Sequence, residues 1–475
     1  MELKNKLKNG FFSFAGTIFP KAMNLISIPI FVRLMTTEEY GRTSVFATYV
    51  TIFSIVLGMD FAVAVGKGTL EYKNKKNEFL SVGVFLTFIL TCIILVVINI
   101  WNDFFCGLLN YSRIQLNILI LYAYATFLIS YKSMELIYSF EYTKNFILNA
   151  LVSILSLGAS IVCMVTWCSN DRFFGRIVGA AVPAIIISTI IWGEIMIRGK
   201  RLYNGSYVKF FCLMGIPLIP HSLSQFILGN ADKIMIENMI SPSKSGIYSF
   251  VTTMGLVMTA ITEAVNNLWN PWMFRKLDDD KDQHVRRMFV PYIFGFSAIS
   301  VLIEGVSPEI IKIIGTKDYY EGMDYCVWMT FTAYLLFLCN KYVDIQYYEK
   351  KTYFVSIGTV MAALINIALN VLWLEKVGYK FAVISTLVSY TVLLFLYMFI
   401  VDIVIKRKLI NSFFVIGIML TMYIETFVIQ LLKEKILVRY IITIAFVIFF
   451  IVLAYANWRK TSEENGFYEK KDFSQ

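Results

Sequence analysis

YKSMELIYSF (131–140) and NKYVDIQYY (340–348) carry the same polar pattern, set twice into apolar surroundings. Lys132, Glu135 and Tyr138 stand at i, i+3 and i+6 in the first stretch, and Lys341, Asp344 and Tyr347 repeat that spacing in the second. Residues three apart lie on one side of a helix. Each stretch is therefore expected to present a cation, a carboxylate and a phenol on one stripe. An ionisable group inside a bilayer costs about 2.5–3.5 kcal/mol on insertion scales, and it usually faces a partner or a wet cavity. Two copies at matching places predict a duplicated membrane protein with a polar interior, an arrangement suited to transport.

Composition agrees. The 475 residues are 58% hydrophobic and only 16% charged, against about 25% charged in a soluble domain. With about 20 apolar residues needed per crossing, the chain reads as an all-α integral membrane protein of about fourteen helices. The spans fall near 11–34, 41–64, 78–100, 115–140, 146–168, 177–197, 210–230, 246–270, 289–306, 323–347, 354–374, 378–402, 412–432 and 436–457. The run after MELKNKLKNG is too long for a signal-peptide core and lacks a small-residue cleavage pattern, so it is expected to be an uncleaved first span. Lys and Arg cluster in alternate short connections: Lys4, Lys6 and Lys8, the KNKK run at 73–76, Arg198 to Arg201, Arg286–Arg287 and Lys406 to Lys408. The positive-inside bias then puts both termini in the cytoplasm.

The net charge of +10 resides in these connections, where orientation and lipid headgroups account for it. A nucleic-acid partner is not expected. Seven scattered cysteines and two histidines offer no CxxC or Cys/His spacing, so neither zinc nor structural disulfides are expected. There is no GxxxxGK[ST] loop for ATP and no nucleophile–histidine pairing. The reading is a transporter and not an enzyme, with no cofactor and no metal; sodium and protons both stay open as coupling ions.

Further matches support a duplication. Pro20-Lys21 corresponds to Pro220-His221, and Tyr40-Gly41 to Ser245-Gly246. The expected organisation is an N-terminal six-helix lobe (1–197), a cytoplasmic linker (198–209) and a C-terminal six-helix lobe (210–402). Two extra helices and a cytoplasmic tail follow (403–475). An even number of spans per copy makes the repeat parallel, about an axis along the membrane normal.

Among single residues, Lys21 is the sharpest. It lies about ten residues, hence roughly 15 Å, into its span, too deep to snorkel easily, and it follows Pro20. His221, behind Pro217 and Pro220, takes the matching place. Lys132–Glu135 and Lys341–Asp344 can each close an intrahelical ion pair, so structural and binding roles stay open for all four. Arg33 is expected to snorkel from a helix end. Glu194, Glu263, Glu304 and Glu425 read as isolated acids within apolar runs, each able to hold a coupling ion. Asp232 and Lys233 are expected to be solvated.

At this point the chain resembles the polysaccharide-flippase branch of the multidrug/oligosaccharidyl-lipid/polysaccharide exporter superfamily. The resemblance rests on FPKAMNLISIPIFVRLMTTEEYGRTSVF (19–46), with its proline-broken helix and Glu-Glu-Tyr-Gly turn. It rests also on GNADKIMIENMISPSKSGIYSF (229–250) and on the two-by-six-plus-two plan. It implies a bacterial plasma-membrane protein that moves undecaprenyl-diphosphate-linked oligosaccharide, such as an O-antigen or capsule unit, from inner to outer leaflet. It also implies a central cationic cavity with alternating access. Lys21 suits that cavity, and His221, Lys132, Lys341 and Arg33 are further candidates for the substrate. Glu135, Asp344 and Glu263 are the coupling or pairing carboxylates. Implied partners are the lipid-linked substrate, membrane lipids, a polysaccharide polymerase and chain-length proteins. A multidrug or cation antiporter of the same superfamily and a membrane polymerase or transferase are the alternatives; the first would favour carboxylates over lysine at its centre, the second a large external catalytic loop.

Overall fold

A computed structural model of the chain describes residues 2–279 and 281–472, and among the described residues there are helices and turns but no strand. The helices are α1 (Glu2–Leu34), α2 (Thr37–Leu57), α3 (Phe61–Glu71), α4 (Lys76–Ile100), α5 (Asn102–Leu109), α6 (Arg113–Tyr138), α7 (Tyr142–Val165), α8 (Arg172–Gly199), α9 (Gly205–Gly215) and α10 (Ile219–Met239). They continue as α11 (Pro242–Asp278), α12 (Asp282–Ile314), α13 (Cys326–Tyr348), α14 (Thr352–Val377), α15 (Phe381–Phe399), α16 (Ser412–Leu431) and α17 (Ile436–Asp472). Thirteen of the expected spans fall on helical stretches long and apolar enough to cross a membrane. The remaining one, 11–34, lies on the 33-residue α1.

The side chains explain why lipid is the solvent. Large apolar groups point outward along whole helices, Leu437 being 79% and Phe413 87% exposed, a pattern that would aggregate in water. Aromatic rings and small polar residues are inside. Many buried hydroxyls bond within the fold, as where Tyr131 donates to the Leu80 carbonyl at 3.0 Å.

Packing divides the chain into two compact units, Met1–Gly246 and Ile247–Gln475. In the first, α7 lies against α1 and α8, and α6 against α2 and α8. Its centre is aromatic: Phe79 stacks on Phe211 with ring centroids 4.3 Å apart. In the second, α12 packs on α13 and α17, and α15 on α13 and α14, around a Phe296–Phe337 stack at 4.3 Å. The sequence puts the boundary between halves at 198–209. The packing divide comes later because α9 lies against α3 and α10 against α2. The two C-terminal spans are likewise no separate body: α16 and α17 pack onto α12.

Local departures from the sequence reading have plain causes. The seventh span breaks into α9, a 3₁₀ turn at Ile216–Leu218 and α10, where Pro217 and Pro220 remove two backbone donors. The first span does not break: α1 runs through Pro20 and Pro29. A helix between protein and lipid can lose a hydrogen bond without unwinding. The second span, expected as one helix over 41–64, is interrupted after Leu57, where Met59 and Asp60 take left-handed backbone angles (φ 45° and 52°). Asp232 is not solvated; α10 continues past it and buries it to 2% exposure, while Lys233 donates to Asn230 Oδ1 at 3.0 Å.

Tyr40-Gly41 and Ser245-Gly246, matched in the sequence, meet within the first unit. A Cβ on Gly41 would collide with the Pro242 carbonyl, and one on Gly246 with the Thr37 carbonyl. Thr37 Oγ1 and Ser243 Oγ are 2.7 Å apart beside them. The contact is reciprocal, each glycine receiving the carbonyl four residues before the other.

Candidate functional site

In the first unit, α4, α6 and α8 converge to build a charged network. Lys132 and Glu135 share a face of α6, and their ion pair is 2.7 Å long. Lys76, at the start of α4, reaches the other Glu135 oxygen at 2.8 Å. Lys132 also contacts Glu194 of α8 at 3.3 Å, and Glu194 holds Arg198 at 2.8 Å. Three cations and two carboxylates thus alternate. Tyr138 stands apart and is 39% exposed: six residues turn a helix by about 600°, which carries i+6 roughly 120° away from i. The expected three-residue stripe is a two-residue stripe.

The second unit repeats the ion pair in a drier setting. Lys341 is 1% exposed and meets Asp344 at 2.8 Å. Two asparagines one turn apart on α11 complete the group. Asn266 Oδ1 accepts from Lys341 Nζ at 2.7 Å, and Asn270 Nδ2 donates to Asp344 Oδ1 at 3.0 Å. Tyr292 of α12 donates its hydroxyl to Asn266 at 3.0 Å and lays its ring 5.1 Å from the Lys341 ammonium. A charge desolvated in this way is stabilised by its partner, the amide oxygen and the ring face together. Tyr347, the counterpart of Tyr138, again points away and is 45% exposed.

The outer face of this network is a groove. Tyr292 stacks on Trp269 with centroids 4.1 Å apart, and the two rings form one wall of an apolar cavity of about 700 Å³. Trp272, Pro291, Ala454 and Trp458 also line it, so it runs between α11, α12 and α17. A second cleft of about 670 Å³, lined by Arg286, Arg287, Asn411 and Phe414, opens between α12, α16 and α17.

The other sequence candidates lie elsewhere. Lys21 and His221 are each half-buried, whereas Arg33, in the last turn of α1, and Glu263 are exposed. The Asp60 carboxylate lies near His221 and accepts a hydrogen bond from Ser222 at 2.5 Å. The structure therefore brings Lys132 to Glu135 and Lys341 to Asp344, shows that Glu194 is not isolated but paired with Lys132 and Arg198, and adds Lys76, Arg198, Asn266, Asn270 and Tyr292. Asn266 and Asn270 left a signal, being amides at i, i+4 within an apolar helix. Lys76 was hidden in a basic run that reads as a loop. Among the described residues no group of three or more His, Cys, Asp or Glu is placed to hold a metal.

Fold and networks define a multi-pass α-helical membrane protein. Solved structures share that fold. The lipid II flippase MurJ in an inward closed conformation matches with a TM-score of 0.67, covering 94% of this chain and 99% of that one at 14% identity. An inward-facing multidrug resistance MATE family transporter of the MOP superfamily matches with a TM-score of 0.57, covering 83% and 99% at 12% identity. Residues 6–276 match the family described as polysaccharide biosynthesis protein, and the chain belongs to that family. Protein 1 of the Lsg locus of Haemophilus influenzae is 23% identical over 369 residues, covering 74% of this chain and 87% of the relative. A membrane protein of the same organism is 22% identical over 383 residues, covering 77% and 81%.

Proposed function

We propose that this protein flips an undecaprenyl-diphosphate-linked oligosaccharide from the inner to the outer leaflet of a bacterial plasma membrane by alternating access. The observation that carries the reading is the aromatic groove backed by the Lys341–Asn266–Asp344 network. An apolar groove of about 700 Å³ thus has buried polar groups directly behind its wall. A diphosphate and sugars cannot cross hydrocarbon alone, so cations, amides and rings have to accompany them. Membership of the polysaccharide biosynthesis family supports the sugar component. A polymerase and chain-length proteins would receive the product in the outer leaflet.

Lys21 is the residue we assign to the diphosphate, with His221 in second place. Its depth in α1 and its position after Pro20 support the assignment. Lys132 and Lys341 are already engaged by carboxylates, which favours a scaffolding role for both. In a strain lacking its own flippase, Lys21→Ala is expected to lower surface polysaccharide at least tenfold while membrane levels stay normal. Lys21→Arg is expected to retain part of the activity, because the charge survives with altered shape. Full export by a normally expressed Lys21→Ala protein would remove this residue from the site.

Orientation is tested separately. Reporter fusions after Lys76 and Lys408 are expected to report cytoplasm, and one at Asp318 the exterior. A periplasmic signal from the first two would reverse the proposed topology.

A further inference from the structure

Glu304 and Glu425 look like unrelated acids in the sequence, yet α12 and α16 bring them together in the second unit. Both are 0% exposed. Glu304 accepts two hydroxyl donors, Ser300 Oγ on Oε1 at 2.7 Å and Thr426 Oγ1 on Oε2 at 2.8 Å. Glu425 is the chain neighbour of Thr426, which donates to Glu304, so the two carboxyls come together where α16 packs on α12, and neither Glu425 oxygen has a hydrogen-bond partner. Two ionised carboxylates cannot bond to each other, since both can only accept; a proton between them supplies the missing donor.

Among the described residues no ion pair reaches either carboxyl. Arg439 of α17, fully buried, is engaged by Glu309 of α12 and by the Lys433 carbonyl. On α13, the Tyr334 hydroxyl is 2.7 Å from Ser297 Oγ, and the Cys326 thiol accepts from Ser307 at 3.4 Å. Two like charges in a dry site cannot both persist. The donor pattern decides which group gives way. Glu304 has two hydroxyls to stabilise a negative charge, whereas Glu425 has none.

We propose that Glu425 is a carboxylic acid whose proton is held by the Glu304 carboxylate, making a one-proton binding site where α16 joins α12. The proton is the third donor to Glu304 and the fastening between a helix of the repeat and a helix outside it. Its loss would set two carboxylates against each other across that junction and loosen α16. The site is independent of the substrate assigned above.

Infrared spectroscopy of the purified full-length protein in lipid nanodiscs tests this. The wild type is expected to show the carbonyl stretch of a buried protonated acid at neutral pH. Glu425→Gln is expected to lose one carboxyl's worth of that band yet keep the wild-type thermal midpoint, because an amide N–H replaces the O–H donor. In Glu304→Gln the band is expected to remain and shift, its proton now meeting an amide. The Glu304→Gln spectrum also decides the matter should the first variant fail to fold. A band unchanged in Glu425→Gln or unshifted in Glu304→Gln would overturn the proposal. So would a sodium-specific rise in wild-type thermal stability at constant ionic strength that Glu425→Gln abolishes, since the ligand would then be a metal ion.

Discussion

Lys341→Ala is expected to be the most damaging single truncation of a charged residue in this protein. The ammonium is 1% exposed and has three kinds of partner: Asp344 at 2.8 Å, Asn266 at 2.7 Å and the Tyr292 ring at 5.1 Å. Its removal leaves Asp344 with only the Asn270 amide and no counter-charge. Breaking a buried pair from one side costs about 3–5 kcal/mol, a large share of a typical stability of roughly 5–15 kcal/mol. Thermal unfolding followed by size-exclusion in detergent should show a marked loss of folded, monodisperse protein. Replacing both partners, Lys341→Met with Asp344→Leu, should restore much of it, because no uncompensated charge remains. A double variant as unstable as the single one would show that the network's hydrogen bonds, not its charge balance, hold the site.

Lys132→Ala is the control that gives this expectation its force. The motif is the same, but Glu135 keeps Lys76 at 2.8 Å and Glu194 keeps Arg198 at 2.8 Å. No acid is abandoned, so the loss should stay well below the roughly 3–5 kcal/mol of a buried pair broken from one side. Equal destabilisation by the two alanines would contradict the difference in surroundings.

That contrast marks what a sequence of this kind can convey. The crossings were legible because lipid demands about 20 apolar residues each time, and little else satisfies that demand. The break at Ile216–Leu218 was legible through two closely spaced prolines, whereas the same residue in α1 gave a false expectation, because a proline removes a donor without dictating an unwound helix. The pairs Lys132–Glu135 and Lys341–Asp344 were legible since helical spacing fixes neighbours on one helix. Partners from other helices were not: periodicity says which face a residue occupies and nothing about what meets it. Lys76 and Tyr292 therefore emerged only in three dimensions, as did the partners of Asn266 and the meeting of Glu304 with Glu425. Asp232, charged and near a helix end, looked solvated for the same reason.

Ala454→Trp is expected to cut export sharply while leaving the fold intact. Ala454 lines the groove of about 700 Å³ opposite the Trp269–Tyr292 wall, and its small side chain keeps that volume open. An isoprenoid chain entering from lipid gains no hydrophobic driving force, since it leaves one apolar medium for another. Shape alone selects it, and shape is what an indole would remove. Overpacking costs about 1–3 kcal/mol, and each 1.4 kcal/mol is a tenfold loss of occupancy. Complementation should therefore fall between roughly tenfold and a hundredfold, with lipid-linked precursor accumulating. Val452→Trp is the matched control, because Val452 is 57% exposed two residues away and takes no part in the groove; it should export normally. Were Ala454→Trp to support full export at normal membrane levels, the groove would not hold the lipid. The polar network behind its wall would then be a device of the fold alone, and the substrate path would have to be sought near Lys21 without it.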